Sequence, residues 1–517
     1  MGEKEQPEGS RFHSEDRPPP TWVQPVPDTH PPAIWFFFWG EFAERSSYYG
    51  MRAILPLYMA QALHLAATSA SPMYNAFKMA CYFLPLLGGF IADRFLGRYW
   101  TIVGFSIPYV AGHFILGIPN YVAMVIALAL LAGGSGVIKP NISTLMGQTY
   151  DQLRPGKERL RAAAFLWFYM SINIGAFIST LALPAIRSHY IETHMPPALA
   201  EQAQQMAAKG EDIAKIAPDE VVQSAYAVAF AFPAWLMVGS LAIFAAGKRF
   251  YALEKPERHV LTPEERRLQW QTLIRLFGIF ALVVLFWFGY EHNDSQWVYF
   301  TRDYVNLKLP FNLPAFGDTV PADQVQALNP LFVIILIPVF NFVFGRLDPE
   351  VKIFTAMRKI LVGFILTAAA IGIMALAAYL VQGHTEQIMQ GEKLVEVSTR
   401  KVSILWPVTA YVILTIGEVL LYGTMLELAY AAAPKSMKGF VTACFLVTNT
   451  LGNFLNMLWT PYYGGSLVDK PADRGPMLPA EFFGITALVV VFAAVAFIFV
   501  GKQFERSQAQ AAAAGLM

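Results

Sequence analysis

Apolar runs of about 20 residues recur along the whole chain and constrain its fold more than any other feature. Their approximate limits are 33–60, 73–95, 99–118, 121–148, 160–188, 222–247, 270–300, 328–346, 354–382, 404–432, 436–464 and 479–501. A helix of that length crosses the hydrocarbon core of a bilayer, and a helix satisfies its own backbone there. Only 15% of the 517 residues are charged, against about 25% in soluble domains. The pattern predicts an all-α polytopic membrane protein with about twelve transmembrane helices. Prolines inside the runs, at 56, 85, 108, 140, 338 and 407, are tolerated where neighbouring helices or water satisfy the freed backbone.

Lys and Arg set the orientation. With the N-terminus inside, the loops at 93–98, 150–161, 248–269, 346–359 and 434–438 and the C-terminal tail carry about twice as many as the opposite set. Both termini are therefore expected in the cytoplasm. The division is a disordered cytoplasmic tail over 1–32, a six-helix bundle over 33–247, a cytoplasmic linker over 248–269, a second bundle over 270–501 and a tail over 502–517. Residues 1–32 lack an apolar core and are not a signal peptide. Residues 196–220 read as a helical excursion on the outer side, 264–271 as an extension of the seventh helix, and the tail after 504 as frayed. The net charge of +1 argues against nucleic acid as a partner. Cys81 and Cys444 both fall inside spans, so neither a disulfide framework nor a metal site is implied.

The first apolar run is chemically unusual. Over 35–58 it carries Glu41, Glu44, Arg45 and Arg52, and each ionised group at mid-bilayer costs about 2.5–3.5 kcal/mol. With Tyr48 and Tyr49 they follow the i, i+3, i+4, i+7 spacing of one helical face, while Phe42, Ala43, Gly50 and Met51 fall elsewhere. The stripe is either an ion-pair network that locks helices or a water-filled pathway for protons and charged substrate. Small residues hold helices together in lipid more cheaply than ion pairs do, which favours the pathway.

Few other ionisable residues stand out at span depth. Lys139 follows Gly133, Gly134 and Gly136; Glu418 lies in the tenth run; Glu291 follows Trp287 and precedes His292 and Asp294. Lys139 with Glu418 and Arg52 with Glu291 are the natural pairs for switchable gates between bundles. Glu427 suits structural pairing as well as a site role. His113 reads as a packed, hydrogen-bonded residue, and His64 and His292 lie near the outer ends of their spans. No nucleophile–base or metal constellation appears, so the chain does not read as an enzyme and no cofactor is expected.

Five stretches carry a family resemblance. Glu41, Glu44, Arg45, Tyr48, Tyr49 and Gly50 resemble the Glu-x-x-Glu-Arg-x-x-Tyr-Tyr-Gly signature of proton-dependent oligopeptide transporters, within the major facilitator superfamily. Residues 88–99 resemble the family's loop between the second and third helices, and 136–141 its fourth-helix motif. Residues 168–175 are similar to its Phe-Tyr-x-x-Ile-Asn-x-Gly signature. Gly417, Glu418 and Val419, with 433–437, are similar to its tenth-helix region. The resemblance implies two six-helix bundles and import of di- and tripeptides with protons, by a monomer in the plasma membrane (a bacterial inner membrane). Glu41, Glu44 and Arg45 match the proton-coupling triplet. Arg52 and Lys139 match the cations used for the peptide carboxylate and for gating, and Glu418 the acid that receives the peptide ammonium. Tyr48, Tyr49, Tyr82, Asn173 and Asn329 match cavity positions, and Glu291 the seventh-helix gating acid.

The sequence departs from the family at His292-Asn293-Asp294-Ser295, where Gln-x-Gly-Ser is common, which leaves Glu291 or His292 for the gating position. Ser46 replaces a common phenylalanine. Residues 248–269 are too few for the two extra helices of many bacterial members. Relatives that carry nitrate or other small metabolites, including amino-acid derivatives, generally lack the intact triplet, which favours peptide. From a different class, the chain could be a non-transporting sensor or a structural membrane partner; the sequence reads as spans and loops with no soluble domain to transmit a signal, which disfavours that reading.

Overall fold

The charged α1 (Ala33–Gln61) is one continuous helix, and the apolar runs after it fold as antiparallel neighbours. In the computed structural model, the described residues are 27–252, 263–313, 317–347, 355–390, 393–432 and 438–513. The first half contains α1, α2 (Ala67–Ile91), α3 (Arg98–Leu116), α4 (Tyr121–Leu153), α5 (Glu158–Thr193), the short α6 (Pro197–Ala208) and α7 (Asp219–Ala246). The second contains α8 (Pro263–Tyr290), α9 (Gln296–Tyr304), α10 (Leu328–Leu347), α11 (Ala356–Val381), α12 (Leu405–Ala432), α13 (Lys438–Trp459) and α14 (Pro479–Ala513). A 3-10 turn, Glu291–Asp294, joins α8 to α9 as one broken span. Leaving out α6, each half has six crossing helices. The chain is a multi-pass membrane protein.

Ten helical stretches are long and apolar enough to cross a membrane, and α1 and α13 complete the twelve. α1 misses that measure because of its four charges. α13 misses it because Thr448, Asn449, Thr450, Asn453 and Asn456 lie along it, and all five are buried. Their i, i+4 spacing points a polar stripe inward, where helices can use it.

α1 packs on α5 and α7, and α8 on α13 and α14. A Cβ on Gly175 of α5 would sit 2.7 Å from Ser46 Oγ and 2.8 Å from the Phe42 carbonyl, so only glycine allows this approach. Ser46 is buried there and donates to that carbonyl at 2.6 Å, so its small side chain serves helix packing.

α1 starts and α14 ends on one face, called here the terminal face; the opposite one is the far face. Six short strands decorate the far-face loops of a protein expected to be all-helical. Val305–Asn306 pairs in parallel with Val402–Ser403, Lys308–Leu313 with Gly317–Thr319, and Thr385–Gln390 with Lys393–Ser398, the last two antiparallel. These are loops long enough to pair with themselves, and they leave the helical architecture unchanged. α14 carries the helix through the alanine-rich tail to Ala513 instead of fraying after 504. α8 begins at Pro263 and includes 264–271. Most of the N-terminal tail, 253–262 of the linker and 433–437 lie outside the described residues.

Several bonds between the halves lie toward the far face. Tyr299 Oη donates to the Pro56 carbonyl at 3.1 Å, Gln324 Nε2 to that of Leu181 at 2.7 Å and Gln326 Nε2 to that of Ala53 at 3.1 Å. Arg187 grips Asp323 through two hydrogen bonds of 2.5 and 3.2 Å.

Candidate functional site

Between the halves lies a cavity of about 260 Å³. α1, α2, α4 and α5 wall it on one side, and α8 with the 3-10 turn after it, α10, α12 and α13 on the other. Of the residues singled out in the sequence, Arg45, Tyr49, Arg52, Tyr82, Lys139, Asn173, Glu291, Asn329 and Glu418 all line it.

Tyr48 does not. Successive helical residues are about 100° apart, so Tyr49 takes the cavity face and Tyr48 turns into the packing of α2. Its ring lies 6.3 Å from that of Phe77, and it is buried. Glu41 and Glu44 are also absent from the lining and sit behind Arg45, which reaches both carboxylates. Its Nε is 3.2 Å from Glu41 Oε1 and also pairs with Glu44 Oε2. All three are at most 2% exposed, which isolates the triplet from bulk water.

Behind the triplet, Ser47 Oγ donates to the Pro233 carbonyl at 2.8 Å. It must therefore accept from His113 Nε2 at 2.9 Å, which fixes the histidine tautomer. His113 is thus the packed, hydrogen-bonded residue its sequence context suggested.

The cavity has two poles of opposite charge. On the first half, Arg52 lies over the Tyr49 ring, 5.0 Å from its centroid, and the Lys139 ammonium lies 5.0 Å from the Tyr82 centroid. On the second half, Asn329 Nδ2 donates to Glu418 Oε2 at 2.6 Å and lies within 3.1 Å of Tyr290 Oη. Among the described residues no carboxylate is within ion-pair distance of Lys139, so the expected Lys139–Glu418 bridge is not formed. The cavity stands between them, and each takes a neutral partner on its own half.

Arg52 does not meet Glu291 either. Its Nη2 lies 3.8 Å from Asp294 Oδ2. A second cation, Lys78 of α2, holds both acids: its Nζ lies 2.9 Å from Glu291 Oε2 and 2.8 Å from Asp294 Oδ1. The 3-10 turn is the physical reason that both acids meet Lys78. Side chains at i and i+3 eclipse in that geometry, so Glu291 and Asp294 project side by side toward one lysine. Asn449 Nδ2 occupies the other oxygen of Glu291 at 2.6 Å. His292 turns away, with Nδ1 3.1 Å from Gln296 Oε1 and its ring against Phe288 and Phe482. The acid facing the cavity is Glu291.

Sequence reading missed Lys78 and Asp294 as partners, and Tyr169, Trp287, Tyr290, Tyr422 and Asn449 as cavity lining. Asn449 belongs to the polar stripe of α13, which was a usable signal. The aromatic residues sat among many others in the spans and carried none. Among the described residues, no group of three or more His, Cys, Asp or Glu is placed to hold a metal ion.

The comparisons with known proteins agree with this architecture. The model of the POT family matches residues 99–271 and 265–467, and that of the Major Facilitator Superfamily matches 5–180. Human solute carrier family 15 member 2 is 31% identical over 409 residues, which is 69% of this chain and 51% of that protein. Peptide transporter family 1 of Drosophila melanogaster is 28% identical over 386 residues, 66% of this chain and 47% of that one. The chain thus spans about half the length of the curated relatives it matches. Among solved structures, the POT family transporter PepTSo is 25% identical with a TM-score of 0.71, over 92% of this chain and 99% of that one. An auto-inhibited POT family peptide transporter is 26% identical with a TM-score of 0.69, over 91% and 97%. With its family model matched across most of its length and its fold shared almost end to end, this chain belongs to the POT family of the Major Facilitator Superfamily, a family of transporters and not of enzymes.

Proposed function

We propose that this protein is a proton-coupled symporter of di- and tripeptides, working as a monomer in the plasma membrane by alternating access. One observation carries the reading: one cavity between the two helical halves has cations on one wall and a hydrogen-bonded carboxylate on the other. A short peptide is a zwitterion with its charges a few ångströms apart. Glu418 would take the ammonium, Arg52 and Lys139 the carboxylate, and Asn173 and Asn329 the backbone amides. Tyr49 and Tyr82 offer adaptable aromatic walls, so selectivity for side chains is loose.

Coupling rests on the triplet behind the cation wall. With Glu44 ionised, Arg45 is held back in its ion pairs; protonation of Glu41 or Glu44 weakens them and frees the guanidinium toward the cavity it lines. Each proton entering an inside-negative cell gains about 2.3 kcal/mol per 100 mV. With both termini cytoplasmic, the far face is the outer one, and the cluster of Lys78, Arg52, Glu291 and Asp294 closes it. The bundles at 33–247 and 270–501 would rock about the cavity.

The test is uptake of labelled dialanine into proteoliposomes under an inside-negative potential with acid outside. Accumulation that collapses with a protonophore and is competed by tripeptide supports the proposal. No uptake and no peptide-induced thermal shift would move the substrate to another small metabolite, such as nitrate or an amino-acid derivative.

A further inference from the structure

Residues 197–216, between α5 and α7, belong by connectivity to the first half, yet they touch the second at four points. The Gly210 carbonyl accepts the Leu307 amide at 3.1 Å, beside the short parallel pair of strands. Thr319 Oγ1 donates to the Ala207 carbonyl at 3.3 Å. Glu211 pairs with Lys401 at 3.2 Å, and Lys215 reaches Asp303 of α9 at 3.3 Å. The Lys215 side chain is 6% exposed and that of Asp303 is fully buried.

The excursion is also fixed to its own half. Asp212 Oδ1 accepts the Ala214 amide at 3.0 Å and so caps the short 3-10 turn that carries Lys215. Its other oxygen accepts from Gln61 Nε2, at the end of α1, at 2.7 Å. Gly210 has φ of +70°, the left-handed region that disfavours side chains, and a Cβ there would lie 2.8 Å from the Lys308 nitrogen. The close approach of the two backbones therefore depends on glycine.

We propose that 197–216 form a clasp: a rigid element of the first half that latches the second half across the far face and must detach before that face opens. The contacts suit reversible release. When Lys215 leaves, Asp303 keeps Arg302, at 2.7 and 3.0 Å, and the Leu467 amide at 3.0 Å, so no carboxylate is stranded. The departing lysine enters water. The clasp is separate from the cluster at the cavity roof and stands farther from the cavity, so the far face closes in two layers. This inference rests on the alternating-access reading above, but its first test does not need a substrate.

Spin labels at Val122→Cys and Leu405→Cys, on exposed far-face ends of the two halves, report their separation. Both are introduced with Cys81 and Cys444 replaced by alanine. Lys215→Met, and separately Glu211→Gln at the more exposed pair, should each raise the population at longer distance, Lys215→Met by about tenfold. Unchanged distance distributions in both variants would overturn the clasp. In a second arm, Glu211→Cys with Lys401→Cys is bridged by a short reducible thiol reagent. Peptide exchange should stop on bridging and resume on reduction, which shows that the protein stays folded. Exchange that continues through the bridged state would also overturn it. If no variant exchanges peptide even when reduced, the transport reading fails while the spin-label arm still decides the clasp.

Discussion

The ammonium of Lys78 stands 2.9 Å from Glu291 and 2.8 Å from Asp294, and the three side chains are at most 4% exposed. One cation from the first half thereby ties two anions of the second, with Arg52 beyond at 3.8 Å. Removing one partner from a buried ion network costs about 3–5 kcal/mol because a charge is left uncompensated. Lys78→Met should therefore lower thermal stability in detergent and populate states with the far face open. Lys78→Arg, or Asp294→Asn added to Lys78→Met, should recover most of the loss. A Lys78→Met protein with wild-type melting behaviour would remove the cluster from the account.

Glu44→Gln neutralises the acid beside Arg45 without changing its size. Uptake driven by a pH gradient should be lost while exchange of labelled for unlabelled peptide across the membrane persists. Accumulation of peptide against its gradient by this variant would rule Glu44 out as a coupling group.

Glu418→Gln should weaken dipeptide binding at least about thirtyfold, the result of removing one partner of a desolvated charge pair. Titration calorimetry on purified protein checks this. The same change should leave binding of an N-acetylated dipeptide almost unaffected, since that ligand has no ammonium to lose.

The hairpin formed by Thr385–Gln390 and Lys393–Ser398 should respond to pH. Burial works to raise the pKa of Glu396, but the Thr385 hydroxyl and the Arg474 guanidinium, the latter at 2.7 Å, outweigh it and hold it below the ordinary carboxylate value. A group with a depressed folded-state pKa contributes stability above its unfolded pKa and loses it as pH falls through the folded one. Hairpin docking should thus persist at neutral pH and loosen in acid, below the usual carboxylate range. Hydrogen exchange over 385–398 should rise there, and in Glu396→Gln it should be raised already at neutral pH.

The helices and the charged stripe of α1 were legible because bilayer thickness and helical periodicity act within a single run of sequence. Tyr48 shows the limit of periodicity: a stripe wide enough to contain two adjacent tyrosines does not say which one meets the cavity. Lys78 shows another. A single lysine in an apolar run acquires meaning only through Glu291 and Asp294, 213 and 216 residues away on the opposite half. The pairing also depends on a 3-10 turn that side-chain spacing alone did not announce. Glu418 and Lys139 were found in the sequence, but their separation across a cavity is a property of packing. That is why a bridge was expected where the molecule keeps a space.

The most direct measurement compares dialanine with the same peptide blocked at either end, each as a competitor of labelled dialanine uptake. The two-pole cavity predicts that N-acetyl-dialanine and dialanine amide each compete far more weakly than dialanine itself. Equal competition by all three would contradict the claim that Glu418 on one wall and Arg52 with Lys139 on the other hold the two charges of a peptide.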